Sequence, residues 1–91
     1  MLKTYKNWLI NKGYATVVNN RPSTVYDYLR GLKFVCNAEH LSVEELANSI
    51  SEICPQYQKG GIHEVRGRYI SRSVRSSLKQ FNKFVLESQA A

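Results

Sequence analysis

Residues 70–87 read Ile70-Ser71-Arg72-Ser73-Val74-Arg75-Ser76-Ser77-Leu78-Lys79-Gln80-Phe81-Asn82-Lys83-Phe84-Val85-Leu86-Glu87. Ile70, Val74, Leu78, Phe81 and Val85 recur in steps of four, four, three and four, with Phe84 alongside. At about 100° per residue they fall within an arc of roughly 80°. That period predicts a helix over about Ser71 to Glu87 with one packed edge. Arg68, Arg72, Arg75, Lys79 and Lys83 also step by three or four, on an arc centred roughly 140° away. The opposite edge therefore presents a ladder of cations, with a rise of roughly 5–6 Å per step. Ser71, Ser73, Ser76, Ser77, Gln80 and Asn82 lie among them and add short hydroxyl and amide groups.

Upstream, the same reading gives three more helices. The first runs from about Leu2 to Asn11, with Leu2, Tyr5, Trp8 and Leu9 on one side and Gly13 just past its end as the C′ residue. Tyr14 to Pro22 reads as irregular, because Asn19-Asn20 and Arg21-Pro22 break any period. The second helix starts at Ser23 or Thr24, where Thr24 and Asp27 have capping-box spacing. Its apolar face is Val25, Tyr28, Leu29, Leu32, Val35 and Cys36, while Phe34 lies on the other side, exposed or covered by another segment. Ser42 and Glu45 are a second capping box, opening a helix that is expected to stop near Cys54 at Pro55. Its inward residues are Val43, Leu46, Ala47, Ile50 and Ile53. Residues 55–69 hold three glycines and no helical period, so a loop is expected, with a weak hairpin signal at Gly60-Gly61. The fold class is all-α, a small four-helix bundle.

Ninety-one residues make one domain without room for a second core. A chain of this length buries only about 60–65% of its unfolded surface, which leaves little scope for a deep catalytic cleft. Hydrophobic residues at 43% and charged residues at 22% are ordinary globular values. Thirteen Lys and Arg against seven Asp and Glu give a formal charge of +6. The excess is concentrated: Lys59 to Lys83 holds seven basic residues and one acid, Glu64. Glu39, Glu44, Glu45 and Glu52 form an acidic stretch without a basic companion. That separation gives the chain one side suited to a polyanion and one averted from it. No apolar run approaches membrane-spanning length or a signal-peptide core. Cys36 and Cys54 are too few for a disulfide framework, so two packed thiols and a cytoplasmic setting are expected.

Cations in register on a helix edge suit duplex DNA, whose condensed counterions are released on binding. Arginine adds a planar fork for phosphate or guanine. A smaller patch is expected on the second helix from Arg30 and Lys33 with Tyr26, and Arg21, Ser23 and Thr24 surround its phosphate-receptive N-terminus. The alternative for each is a solvated helix face. Cys36, His40, Cys54 and His63 can be written as a metal set, but their spacing matches no tight zinc pairing, and no metal or other cofactor is expected. No serine-elbow, zinc-protease or Walker motif is present, and Lys59-Gly60-Gly61 is a turn without the following helix of a phosphate cradle. No catalytic residue is expected.

Three blocks carry a resemblance. Tyr5-x-x-Trp8-Leu9-x-x-x-Gly13 comes first, then Ser23-Thr24-Val25-x-x-Tyr28-x-x-x-Leu32-x-x-Val35, and finally Ser76-Ser77-Leu78-Lys79-Gln80-Phe81-x-x-Phe84-Val85. In order and spacing the chain resembles the N-terminal core-binding, SAM-like domain of tyrosine recombinases, the phage-integrase type. The gap from Gly13 to Ser23 and the loop from Pro55 to Tyr69 are longer than is usual there, and Arg75 stands where an apolar residue is commoner. The resemblance implies a helical bundle that forms one jaw of a clamp on the recombination site, with its second and fourth helices near the major groove. It implies double-stranded DNA as partner, further recombinase protomers on the DNA in a full-length protein, and no membrane. The family's nucleophilic tyrosine and Arg/His set belong to a separate C-terminal domain that breaks and rejoins strands. None of the six tyrosines here is assigned that role. Leu86 to Ala91 matches the start of an interdomain linker, so the chain reads as a non-catalytic, monomeric fragment of such an enzyme. The second reading is a helical protein–protein module whose basic face meets an acidic partner. A helix-turn-helix regulator would need a tighter turn before the last helix.

Overall fold

A computed structural model of the chain describes residues 1–14, 17–18, 21–22, 24–65 and 73–90, the side chains of 17–18, 21–22, 73 and 89–90 excepted. The elements are α1 (Leu2–Asn11), β1 (Val17–Val18), β2 (Arg21–Pro22), α2 (Thr24–Glu39), α3 (Val43–Tyr57) and α4 (Ser73–Ala90). α4 packs against both α2 and α3, and α1 lies against α2 and α4. No helix among the described residues is long and apolar enough to cross a membrane.

Local chemistry sets the helix ends. After α1, Gly13 takes φ +97°. The Tyr14 N–H donates to the Leu9 carbonyl (3.2 Å) and the Gly13 N–H to that of Ile10 (3.0 Å), a Schellman termination. α2 ends the same way without a glycine: His40 has φ +56°, and the Leu41 N–H donates to the Cys36 carbonyl (2.9 Å). At the start of α3, the Ser42 hydroxyl accepts from the Glu45 N–H (3.1 Å) while the Glu45 carboxylate accepts from the Ser42 N–H (3.0 Å). Both bonds of the capping box are thus made. Thr24 is the first residue of α2 rather than the residue before it, and residue 23 lies outside the described residues.

The inward stripes meet as their spacing predicts. Tyr5 and Leu9 of α1, Val25, Leu32, Val35 and Cys36 of α2, Leu46, Ala47, Ile50 and Ile53 of α3, and Val74, Leu78, Phe81, Phe84 and Val85 of α4 are all buried. Leu2, Trp8, Tyr28, Leu29 and Val43 are partly buried around them, and Phe34 is half covered against the same core. Tyr5 meets Phe81 edge-on at 5.0 Å and Phe84 at 5.3 Å, which fixes α1 on the C-terminal half of α4. Ile70 lies outside the described residues.

Two expectations are corrected and a third is refined. The segment before α2 is not wholly irregular: Val17 pairs with Pro22 and Val18 with Arg21 in a short antiparallel ladder. A β-branched pair favours extended backbone, and proline is tolerated at a sheet edge. The third helix does not stop at Pro55 but continues to Tyr57 with the proline inside. Tyr57 is wholly buried and its hydroxyl donates to the Glu39 carboxylate (2.7 Å), so packing offsets the hydrogen bond that proline removes. Finally, residues 58–65 form the expected loop as hydrogen-bonded turns and not as a hairpin. The Gly61 N–H donates to the Gln58 carbonyl (2.9 Å), His63 to Gln56 (2.7 Å) and Glu64 to Gly61 (3.2 Å), and Glu64 and Val65 are helical. A Cβ on Gly61 would lie 2.3 Å from the Pro55 carbonyl oxygen, so only glycine lets the turn close on the end of α3.

Candidate nucleic-acid interface

α4 buries Val74, Leu78, Phe81 and Val85 and leaves Lys79 and Lys83 exposed. Among the described residues no ion pair engages either lysine. Arg75 belongs to the same row in sequence but not in space. Its Nε donates to the Tyr57 carbonyl (3.2 Å) and an outer nitrogen lies 3.9 Å from a Glu64 oxygen. Its side chain is only 27% exposed. The expected solvent-facing cation is instead tied to the carbonyl of the last residue of α3. Glu64, the one acid of the basic segment, partly neutralises it. Arg68 and Arg72 lie outside the described residues.

Ser77 is also displaced from its expected place among the outward hydroxyls. It is fully buried. Its hydroxyl donates to the Tyr28 carbonyl of α2, and its own carbonyl accepts from the Tyr5 phenol (3.2 Å). At about 100° per residue, position 77 falls between Phe81 and Phe84 on the packed side of α4, where a short side chain lets α2 and α4 approach and a partner is required for any polar atom. Burial pushes the Tyr5 phenol far above the usual tyrosine range. Ser76 is half-buried at the surface, and the Ser71 and Ser73 side chains lie outside the described residues.

On α2, Arg30 and Lys33 are exposed and border a cavity of about 320 Å³ with Tyr26 and Leu29. Lys6, which the sequence did not single out, joins this patch from α1. Its Nζ donates to the Tyr26 hydroxyl (3.2 Å) and lies 4.9 Å from the ring centroid. Thr24 is half-buried in the first turn of α2. Arg21 has its backbone in β2 and its side chain outside the described residues, as is all of Ser23.

A second cavity, of about 430 Å³, lies between α4 and the turn after α3, bordered by Gln58, Lys59, Arg75, Ser76 and Lys79. Lys59 and Gln58 have no place in the helical period of α4, so only the charge census hinted at Lys59. The Gln58 side-chain amide donates to the Arg75 carbonyl (3.2 Å) and to Cys54 Sγ (3.7 Å), which holds the turn against α4.

The acidic stretch is partly structural. Glu39 accepts from Tyr57 and lies 3.6 Å from His63 Nε2. Glu45 completes the cap of α3, which holds its carboxyl below the ordinary glutamate range. Glu44 is 4.0 Å from the N-terminal amine, and Glu52 is exposed. Cys36 and Cys54 are buried free thiols. Burial pushes both thiols up, helped at Cys36 by the Glu44 charge and opposed at Cys54 by Gln58 and Lys79. Among the described residues no three His, Cys, Asp or Glu side chains gather where they could hold a metal ion. Comparison of the chain with protein-family models, curated proteins and solved structures finds no match.

Proposed function

We propose that this chain is a duplex-DNA-binding domain of the kind that forms the core-binding domain of a tyrosine recombinase, gripping DNA through the outer faces of α2 and α4. The reading rests on one observation above all. Lys79 and Lys83 stand exposed on α4, free of ion pairs among the described residues, while the same helix buries Val74, Leu78, Phe81 and Val85. Arg30 and Lys33 on α2, with Lys6 beside them, supply a second cationic contact. Long flexible cations of this kind gain most by displacing counterions from phosphates, so phosphate contacts position the domain and carry most of its affinity. Arg75 and Ser77 are excluded from direct recognition, because they hold the bundle together.

The domain has no strand-cleaving chemistry of its own under this reading. Breakage and rejoining belong to a separate catalytic domain, and the setting is the cytoplasm, where the DNA and further recombinase protomers are met. An amide-shift titration tests the contact surface. Duplex DNA is expected to move resonances in the outer faces of α2 and α4 and to leave the exposed face of α3 still. Equal affinity for heparin, with no duplex-specific shifts, would favour an acidic protein partner instead. Shifts centred on Glu44, Glu45 and Glu52 would reject the proposed face.

A further inference from the structure

The cavity between α4 and the turn after α3 collects cations from segments that the sequence keeps apart. Lys59 comes from the turn, and Arg75, Ser76 and Lys79 come from α4. Its walls are fixed by internal bonds. Arg75 Nε donates to the Tyr57 carbonyl, the Gln58 amide donates to the Arg75 carbonyl, and Gly61 closes the turn where no larger residue fits. Glu64, 3.9 Å from an Arg75 nitrogen, is one carboxylate against three cations. Such a concave, positively charged site with a neutral donor suits one tetrahedral oxyanion.

We infer that this cavity seats a single backbone phosphate of a bound duplex, with Lys59 as its charge partner and Ser76 as a hydroxyl donor, while Lys79 reaches the adjacent phosphate. Arg75 is a positioning residue there: it holds the turn that delivers Lys59. The inference rests on the DNA-binding reading and extends the contact surface to a turn that lies outside the α4 row.

The test compares the full chain with Lys59→Gln, Ser76→Ala and Lys83→Gln variants by fluorescence anisotropy on a labelled duplex across a salt series. An amide-shift titration with inorganic phosphate runs alongside. Lys59→Gln is expected to make the log K against log salt slope shallower by about 0.9, the effect of one lost phosphate contact. Ser76→Ala is expected to weaken binding by about 2- to 10-fold with the slope unchanged, because it removes a neutral hydrogen bond. If Lys59→Gln keeps the original affinity and slope while Lys83→Gln loses both, the cavity holds no phosphate and the DNA-binding reading stands. If the unsubstituted chain does not bind duplex at all, that reading fails. In that case phosphate-induced shifts at Lys59 and Ser76 would keep the oxyanion site, and their absence would reject it as well.

Discussion

Neutralising Lys79 and Lys83 together is the sharpest test of the α4 face. Both side chains are exposed and free of ion pairs among the described residues, so the Lys79→Gln, Lys83→Gln double variant leaves the core untouched. If Arg30, Lys33, Lys79 and Lys83 each meet one phosphate, together they contribute about −3.6 to the slope of log K against log salt. Between 50 and 200 mM salt those contacts lose roughly 150-fold in affinity, and the two on α2 alone lose roughly 12-fold. Whatever other residues add, the double variant must therefore show a slope shallower by about 1.8 and a salt sensitivity about 12-fold smaller. Fluorescence anisotropy on a labelled duplex measures both quantities, and circular dichroism confirms that helicity is kept. A double variant with the original slope would refute the assignment of this edge to DNA.

Further predictions concern the scaffold. Arg75→Met should lower stability by about 1–2 kcal/mol in urea titration, because it strips a charged donor from the Tyr57 carbonyl at the end of α3. The same variant should flatten the DNA salt slope by no more than about 0.9, the one contact of Lys59, whose turn Arg75 holds. Gly61→Ala should destabilise by about 1–3 kcal/mol, since its Cβ meets the Pro55 carbonyl at 2.3 Å. Phe81→Ala should cost about 3–5 kcal/mol through the cavity left beside Tyr5 and Phe84, read as a fall in thermal midpoint. The pH profile of stability should fall at both ends. The Glu45 carboxyl is depressed by its cap, so its contribution is present above about pH 4.3 and is lost as pH drops through the lower folded value. The Cys36, Cys54, Tyr5 and Tyr28 groups are raised by burial. Their contribution is complete below about pH 8.5 for the thiols and about pH 10 for the phenols, and it declines above those values. Chemical denaturation across pH, with flat stability from pH 3 to 11, would contradict both.

Helix positions, the glycine termination after α1, the Ser42–Glu45 cap and nearly every core residue were determined by the sequence alone. Each depends on interactions within a few residues, and a spacing of three or four already states which side chains share an edge. The short ladder before α2 and the course of the chain past Pro55 were not legible, because packing decided them. Tyr57 buries itself and reaches Glu39, and that outweighs the local instruction to stop. Tertiary structure also reassigned the surface. Arg75 shares its angular position with Lys79, yet the end of α3 arrives opposite one and not the other. Ser77 falls at the angle between Phe81 and Phe84, so the period already turned it inward, and only the arrival of α2 supplied the carbonyl it bonds. Lys59 joined the candidate site for the same reason, since a turn carries no period and its neighbours across space are set by the elements it connects. What a side chain can do is written in its own residue and register. Whether it is free to do it depends on which distant backbone atom or carboxylate the fold puts in front of it.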